Sequence, residues 1–186
     1  FQQIQGSSPF EGIFVRRKNS KNKTCYYLYS SDEENLILCA CETGSYSYDI
    51  SRNAKNIVKT DPYFCGSLNG NNSKLTYKGT DISGKELVTI KFKHTDNFRQ
   101  LSAIIYPDIQ ILQREPQYIK GSWVLLFPTL DGITSEKNFM MDYNDDFCIS
   151  FEKIHKDEFY FIIKHPFTLF QGFCLGLSVM RKFRNE

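Results

Sequence analysis

Hydrophobic and polar residues alternate in short runs along most of the chain. The strand-length runs are residues 12–17, 24–30, 36–41, 45–50, 63–68, 74–78, 86–92, 101–106, 123–127, 138–143, 147–152 and 158–163. Turn-forming clusters such as residues 70–73 separate them, and no helical period of useful length occurs before the last segment. The pattern predicts an all-β body of about twelve strands.

The last segment, residues 167–183, has a different pattern. Apolar residues occupy nearly every face of a helix, and the first charge is Arg181. Such a helix must be surrounded by protein. The uncharged stretch from Phe167 to Met180 is 14 residues long, which is shorter than the roughly 18–20 residues that cross a bilayer. We therefore predict a buried helix and not a transmembrane helix.

A cavity that a wholly apolar helix can fill is provided by a closed barrel, and closure also removes the edges of the sheet. We predict a closed antiparallel twelve-stranded β-barrel around a central apolar C-terminal α-helix. Pro166 and Thr168 are plausible start signals for that helix. Arg181, Lys182 and Arg184 would place positive charge at its C-terminal end, where the helix dipole favours cations.

The length of 186 residues, without a Gly/Ser/Pro-rich break longer than a loop, predicts one domain over residues 1–186. Residues 1–11 are expected to be an N-terminal extension. Because the sequence begins at Phe1 without a methionine or a signal peptide, we expect a domain excised from a longer protein.

The formal net charge of +2 is far from the strongly basic balance of a dedicated nucleic-acid binder. The six cysteines lie mostly inside apolar runs, which predicts reduced thiols and an intracellular protein. Cys39 and Cys41 would share one face of a strand and could form half of a metal site. No CxxC motif or histidine-rich partner accompanies them, so we expect neither a metal nor a cofactor.

The candidate catalytic groups are scattered. His94, His155 and His165 are isolated, and no glycine-rich phosphate loop is present. Residues 142–146 imitate the start of a calcium loop, but Phe147 and Lys153 occupy the positions that need glycine and glutamate. We expect no enzyme, and we interpret residues 142–146 as a polar connection between strands.

Several short motifs occur in a fixed order. They are Lys137-Asn138-Phe139, Phe151-Glu152-Lys153, Lys156-Asp157 and Leu169-Phe170-Gln171-Gly172-Phe173, preceded by Tyr48-Asp49-Ile50-Ser51 and by residues 99–107. From about Gly12 to Phe183, the chain resembles the tubby-like protein family in its C-terminal tubby domain. The resemblance implies a twelve-stranded barrel around a C-terminal helix, which agrees with the count of runs.

The resemblance also implies phosphoinositide binding through cationic side chains on neighbouring strands, because multiply charged headgroups need several converging Lys or Arg donors. Here the sequence departs from the family. The basic run expected before Tyr48 is replaced by residues 41–47, which include Glu42 and Gly44, and a second basic position is Asn69.

Other cations could replace the missing ones. The candidate lipid-binding residues are Arg16, Arg17, Lys18, Lys21, Lys23 and Lys74, with Lys78, Lys91 and Lys93 as further candidates. Lys74 matches a lysine of the family. A cluster of this kind contributes about 1 kcal/mol per charge near an anionic membrane. Residues 16–23 could equally be a solvated hairpin loop.

Two function hypotheses follow. The first is a phosphoinositide- or anionic-membrane-binding adaptor domain, monomeric and cytoplasmic, which associates peripherally with the plasma membrane, carries protein cargo and could enter the nucleus. The alternative is a protein-interaction scaffold of the tubby fold that no longer binds phosphoinositides. A lipid-scrambling relative is disfavoured, because the helix is short and its tail is charged.

Overall fold

The computed structural model describes residues 8–71, 75–96, 98–129 and 132–180. The strands are β1 (Phe10–Lys18), β2 (Thr24–Ser30), β3 (Leu36–Gly44), β4 (Ser47–Ser51), β5 (Phe64–Gly70), β6 (Thr76–Asp81), β7 (Glu86–His94), β8 (Arg99–Ile105), β9 (Ile109–Leu112), β10 (Gln117–Ile119), β11 (Ser122–Val124), β12 (Phe139–Tyr143), β13 (Asp146–His155) and β14 (Glu158–Ile163). One helix follows, α1 (Leu169–Val179).

Twelve of these strands form one antiparallel sheet in the order β12-β13-β14-β1-β2-β3-β4-β5-β6-β7-β8-β9. The two outermost strands of this order meet. Gln113 forms a bridge with Met141, and the Arg114 N–H donates to the carbonyl of Met140 at 2.7 Å. The Arg114 guanidinium donates two hydrogen bonds, of 2.8 and 2.5 Å, to the Asp142 carboxylate. The sheet is therefore nearly closed into a barrel.

The predicted fold class is confirmed, although one predicted barrel strand is wrong. Residues 123–127 contribute to β11, which pairs with β10 in a separate two-stranded sheet. The twelfth strand of the barrel is β9, which the sequence did not single out because it is only four residues long. β1 begins at Phe10, inside the stretch predicted as an N-terminal extension, and pairs there with Ile163.

Helix α1 fills the barrel, and its residues 170–179 are buried. Thr168 caps the helix, as its predicted start signal indicated. Its hydroxyl accepts the Gln171 N–H, and the Gln171 side chain accepts the Thr168 N–H at 2.9 Å. The other end of the Gln171 amide donates to the carbonyl of Leu87 at 3.0 Å. One side chain therefore both starts the helix and anchors it to β7. The predicted basic tail, Arg181 to Arg184, lies outside the described residues.

Two glycines set how closely α1 approaches the sheet. A Cβ at Gly176 would lie 3.2 Å from rings of Phe14 and Phe161, and a Cβ at Gly172 would lie 2.6 Å from Ile163 Cδ1. At both glycines, side chains of the strands therefore lie close to the helix backbone. Within the described residues, no helix is long and apolar enough to cross a membrane.

The cysteine prediction was wrong for one pair. Cys25 and Cys41 face each other across β2 and β3 and form a disulfide. The other four cysteines are free and buried, and burial raises the pKa of the Cys39 thiol to about 12. The sequence does not reveal this pair, because the pairing depends on the register of two strands and not on spacing along the chain.

Candidate functional site

The strand register places one set of turns at one end of the barrel. Lys18 faces Thr24 across the β1–β2 hairpin, Gly44 faces Ser47 across β3–β4, and the β7–β8 and β13–β14 turns lie on the same side. We call this the upper end. The β2–β3, β4–β5 and β6–β7 turns lie at the opposite, lower end.

The β1–β2 hairpin carries most of the predicted lipid-binding residues. Arg17, Lys18, Lys21 and Lys23 are all exposed. The Asn19 side chain accepts the backbone N–H groups of Lys21 and Lys23, both at 3.0 Å, and the Lys18 ammonium donates to the Asn22 carbonyl at 3.2 Å. The loop is thus shaped by its own polar groups. Residues 16–24 contain no acidic residue, so the four exposed cations have no acid within the hairpin to neutralise them.

Arg16 differs from its four neighbours. Its guanidinium forms a salt bridge with the Asp157 carboxylate and donates to it from Nε at 2.9 Å, and its backbone N–H donates to the Asp157 carbonyl at 2.8 Å. Arg16 is therefore a structural residue that joins β1 to the β13–β14 turn. That turn adds the exposed Lys156 to the same end. A cleft of about 580 Å³ lies between them, lined by Arg16, Arg17, Lys18, Thr24 and Asp157.

The remaining predicted cations are placed differently. Lys74 lies outside the described residues. Lys91 and Lys93 are exposed on β7. Lys78 donates to the Glu86 carboxylate at 2.9 Å, and Glu86 also accepts the Thr89 hydroxyl. Lys78 is thereby neutralised.

The outer face around Asn69 is where the resemblance implies headgroup contacts. Ser67 lies two residues away and donates to the Asp49 carboxylate at 2.8 Å. On the adjoining strand, Lys78 is paired with Glu86. The two carboxylates and the ammonium nearest to Asn69 are therefore engaged by hydrogen bonds with each other or with hydroxyl groups. The exposed Lys91 and Lys93 lie farther along the same outer face of β7. Glu42 occupies a position where the resemblance implies a basic residue. Its carboxylate accepts a hydrogen bond of 2.9 Å from the Tyr26 hydroxyl.

The β10–β11 hairpin is a second feature of the upper end. The Tyr118 and Trp123 rings pack against each other across it, with their centroids 5.3 Å apart. The Trp123 ring also packs against Phe98 of the β7–β8 turn, with a centroid distance of 6.1 Å. Lys120 and Gly121 form the turn, both with left-handed φ values of 48° and 87°. The sequence pattern placed Trp123 in a predicted barrel strand, residues 123–127, and did not predict this hairpin, because each of its strands is only three residues long.

Two partly buried cations lie beside this hairpin. Arg99 lies 5.0 Å above the Phe92 ring and donates to the Glu136 carbonyl at 3.1 Å. Burial lowers the pKa of Arg99 to about 10. The Lys137 ammonium pairs with the Glu136 carboxylate at 3.3 Å, and burial also lowers the Lys137 pKa. These charges are engaged within the protein, so they are poorly placed to meet an external ligand.

The two alternatives for a metal site use donors that have other partners. Cys41 is in the disulfide. The Asp142 carboxylate accepts hydrogen bonds from Arg114. The Asp146 carboxylate accepts a hydrogen bond of 3.1 Å from the Lys164 ammonium, which lowers the Asp146 pKa. No group of three potential metal ligands occurs among the residues that the structure describes.

Neither a protein-family model nor a curated protein matches this chain.

Proposed function

We propose that this chain is a non-enzymatic adaptor domain that binds anionic membrane surfaces, phosphoinositide-containing ones included, through the upper end of the barrel. The observation that supports the proposal is the β1–β2 hairpin, in which Arg17, Lys18, Lys21 and Lys23 are all exposed and residues 16–24 include no acid. Lys156 of the adjoining turn extends the same surface. A membrane supplies many anionic headgroups at once, which is what a broad cationic surface binds best.

The size of the effect follows from the number of charges. Four exposed cations at about 1 kcal/mol each contribute about 4 kcal/mol, which is about a thousandfold in partitioning. Binding of this kind is screened by salt. Because all four side chains are exposed, and Lys21 and Lys23 lie outside the cleft that Arg17 and Lys18 line, we expect the density of negative charge to matter more than the identity of the headgroup.

Vesicle pelleting tests the proposal. Vesicles with phosphatidylserine, or with a phosphoinositide bisphosphate at matched charge, should both pellet the protein, and more at low than at physiological salt. The variant Lys18/Lys21/Lys23→Gln should bind about a hundredfold more weakly, at about 1 kcal/mol per lysine.

The matched control is Lys55/Lys59/Lys85→Gln, which removes three exposed lysines from the lower end. It should bind nearly as well as the natural sequence. Absence of pelleting at both salt concentrations would refute membrane binding. Equal losses in the two triple variants would refute the assignment to the hairpin.

A protein-interaction scaffold is the second candidate. It is favoured by the outer face of β4 to β7, where the Asp49–Ser67 and Lys78–Glu86 pairs occupy the positions at which the resemblance implies headgroup contacts. Affinity capture from a lysate stripped of membranes separates the two candidates. Recovery of the same partners with and without membranes, together with no competition by lipid vesicles, would favour the scaffold.

A further inference from the structure

We propose that the β10–β11 hairpin inserts its aromatic side chains into the interface of an anionic membrane. This inference rests on the proposed function and adds to it a specific contact: the electrostatic surface attracts the protein, and the hairpin enters the headgroup layer. The aromatic residues concerned are Tyr118 and Trp123.

The first observation is the exposure of this hairpin. β10 and β11 are three residues each and pair only with each other. Tyr118 is 64% exposed and Trp123 is 47% exposed, and Leu126, just after β11, is 64% exposed. A two-stranded hairpin has little stability of its own in water, and large apolar side chains exposed together are typical of interaction sites.

The second observation is the chemistry of the exposed side chains. Tyrosine and tryptophan have an apolar ring and one polar group, and they are enriched where a membrane meets water. Lys120 at the tip of the hairpin adds a cation that can stay at the headgroups while its stem follows the rings. A protein partner would favour a flat apolar patch equally well, but it would not require this cation.

The third observation is location. Trp123 packs on Phe98 in the β7–β8 turn, which lies at the upper end with the β1–β2 hairpin. A surface that meets the membrane through Arg17, Lys18, Lys21 and Lys23 therefore directs the β10–β11 hairpin toward the same bilayer. Charge complementarity selects an anionic lipid surface as the occupant.

Tryptophan fluorescence tests the inference directly, because Trp123 is the only tryptophan in the chain. On phosphatidylserine vesicles, its emission should shift to shorter wavelength, and brominated acyl chains should quench it. The matched control is Trp123→Phe/Tyr63→Trp. It moves the only tryptophan to a 52%-exposed position in the β4–β5 loop at the lower end, where neither effect should occur.

A second pair of variants measures the contribution to binding. Tyr118→Ser should weaken vesicle binding several-fold, whereas Tyr63→Ser should leave it unchanged. Pelleting with neither a shift nor quenching of the Trp123 emission would overturn insertion and leave the proposed function standing. In that case the hairpin would be available to a protein partner. An equal shift at position 63 would overturn the orientation. Absence of pelleting would remove the proposed function and this inference together.

Discussion

The close approach of α1 to the barrel predicts that Gly172→Ala destabilises the protein. A Cβ at this position would lie 2.6 Å from Ile163 Cδ1 and 3.0 Å from its Cγ1. Ile163 is fully buried, so it has little room to move. Overpacking of this kind costs about 1–3 kcal/mol, whereas alanine gains about 1 kcal/mol over glycine inside a helix. We expect a net loss of up to about 2 kcal/mol in the free energy of unfolding.

Shortening the opposing side chain should offset this loss. Ile163→Val alone removes Cδ1 and should cost about 1 kcal/mol. In the Gly172→Ala background the same change removes the closest contact, so it should cost less or even stabilise, with a coupling of about 1–2 kcal/mol. Urea unfolding of the four proteins in this double-mutant cycle measures the coupling.

Gly44→Ala is the control for the glycine change itself, because its Cβ would meet nothing closer than Ser47 Cβ at 3.9 Å. It should be neutral or slightly stabilising. The reasoning is refuted if Gly172→Ala is more stable than the natural sequence, or if Ile163→Val costs the same in both backgrounds.

Two further predictions concern cross-links of the barrel. The Cys25–Cys41 disulfide closes a sequence separation of 16 residues, so Cys25→Ser/Cys41→Ser should lose about 3 kcal/mol of stability. Thiol titration of the natural protein, oxidised and then denatured, should find four free thiols. Six free thiols would contradict the pairing. The Arg114–Asp142 pair is partly exposed, with 39% and 35% of its side chains accessible, so Arg114→Met should cost at most about 1 kcal/mol. The substitution should nevertheless accelerate hydrogen exchange of the position-114 amide. Unchanged exchange would show that the ion pair does not hold the two end strands of the sheet, β9 and β12, together.

The parts of the fold that sequence predicted are those set by local pattern. The all-round apolar segment identified α1, because a helix without a polar face must be enclosed, and Thr168 marked its start. By contrast, β9 is too short for its alternation to stand out, so residues 123–127 were assigned to the barrel in its place.

The parts that sequence missed are those set by distant partners. Asp157 neutralises Arg16 from 141 residues away, and no local pattern distinguishes Arg16 from Arg17. The alternation of β1 separates the two only when the register is known. Arg16 pairs with Tyr26 and Arg17 with Cys25, on opposite faces of the sheet.

The closed architecture limits where a ligand can bind. Helix α1 fills the interior, so a ligand must use the outside of the barrel. The outer face near Asp49 and Lys78 is occupied by its own hydrogen bonds. The two ends then differ in the arrangement of charge. At the lower end, exposed lysines share the surface with the acidic β2–β3 turn, residues 32–34, whereas residues 16–24 of the upper end contain no acid. Near an anionic bilayer, the acidic turn is repelled and the hairpin attracted. Under the proposed function, this charge distribution would both recruit the domain and orient its upper end toward the lipid.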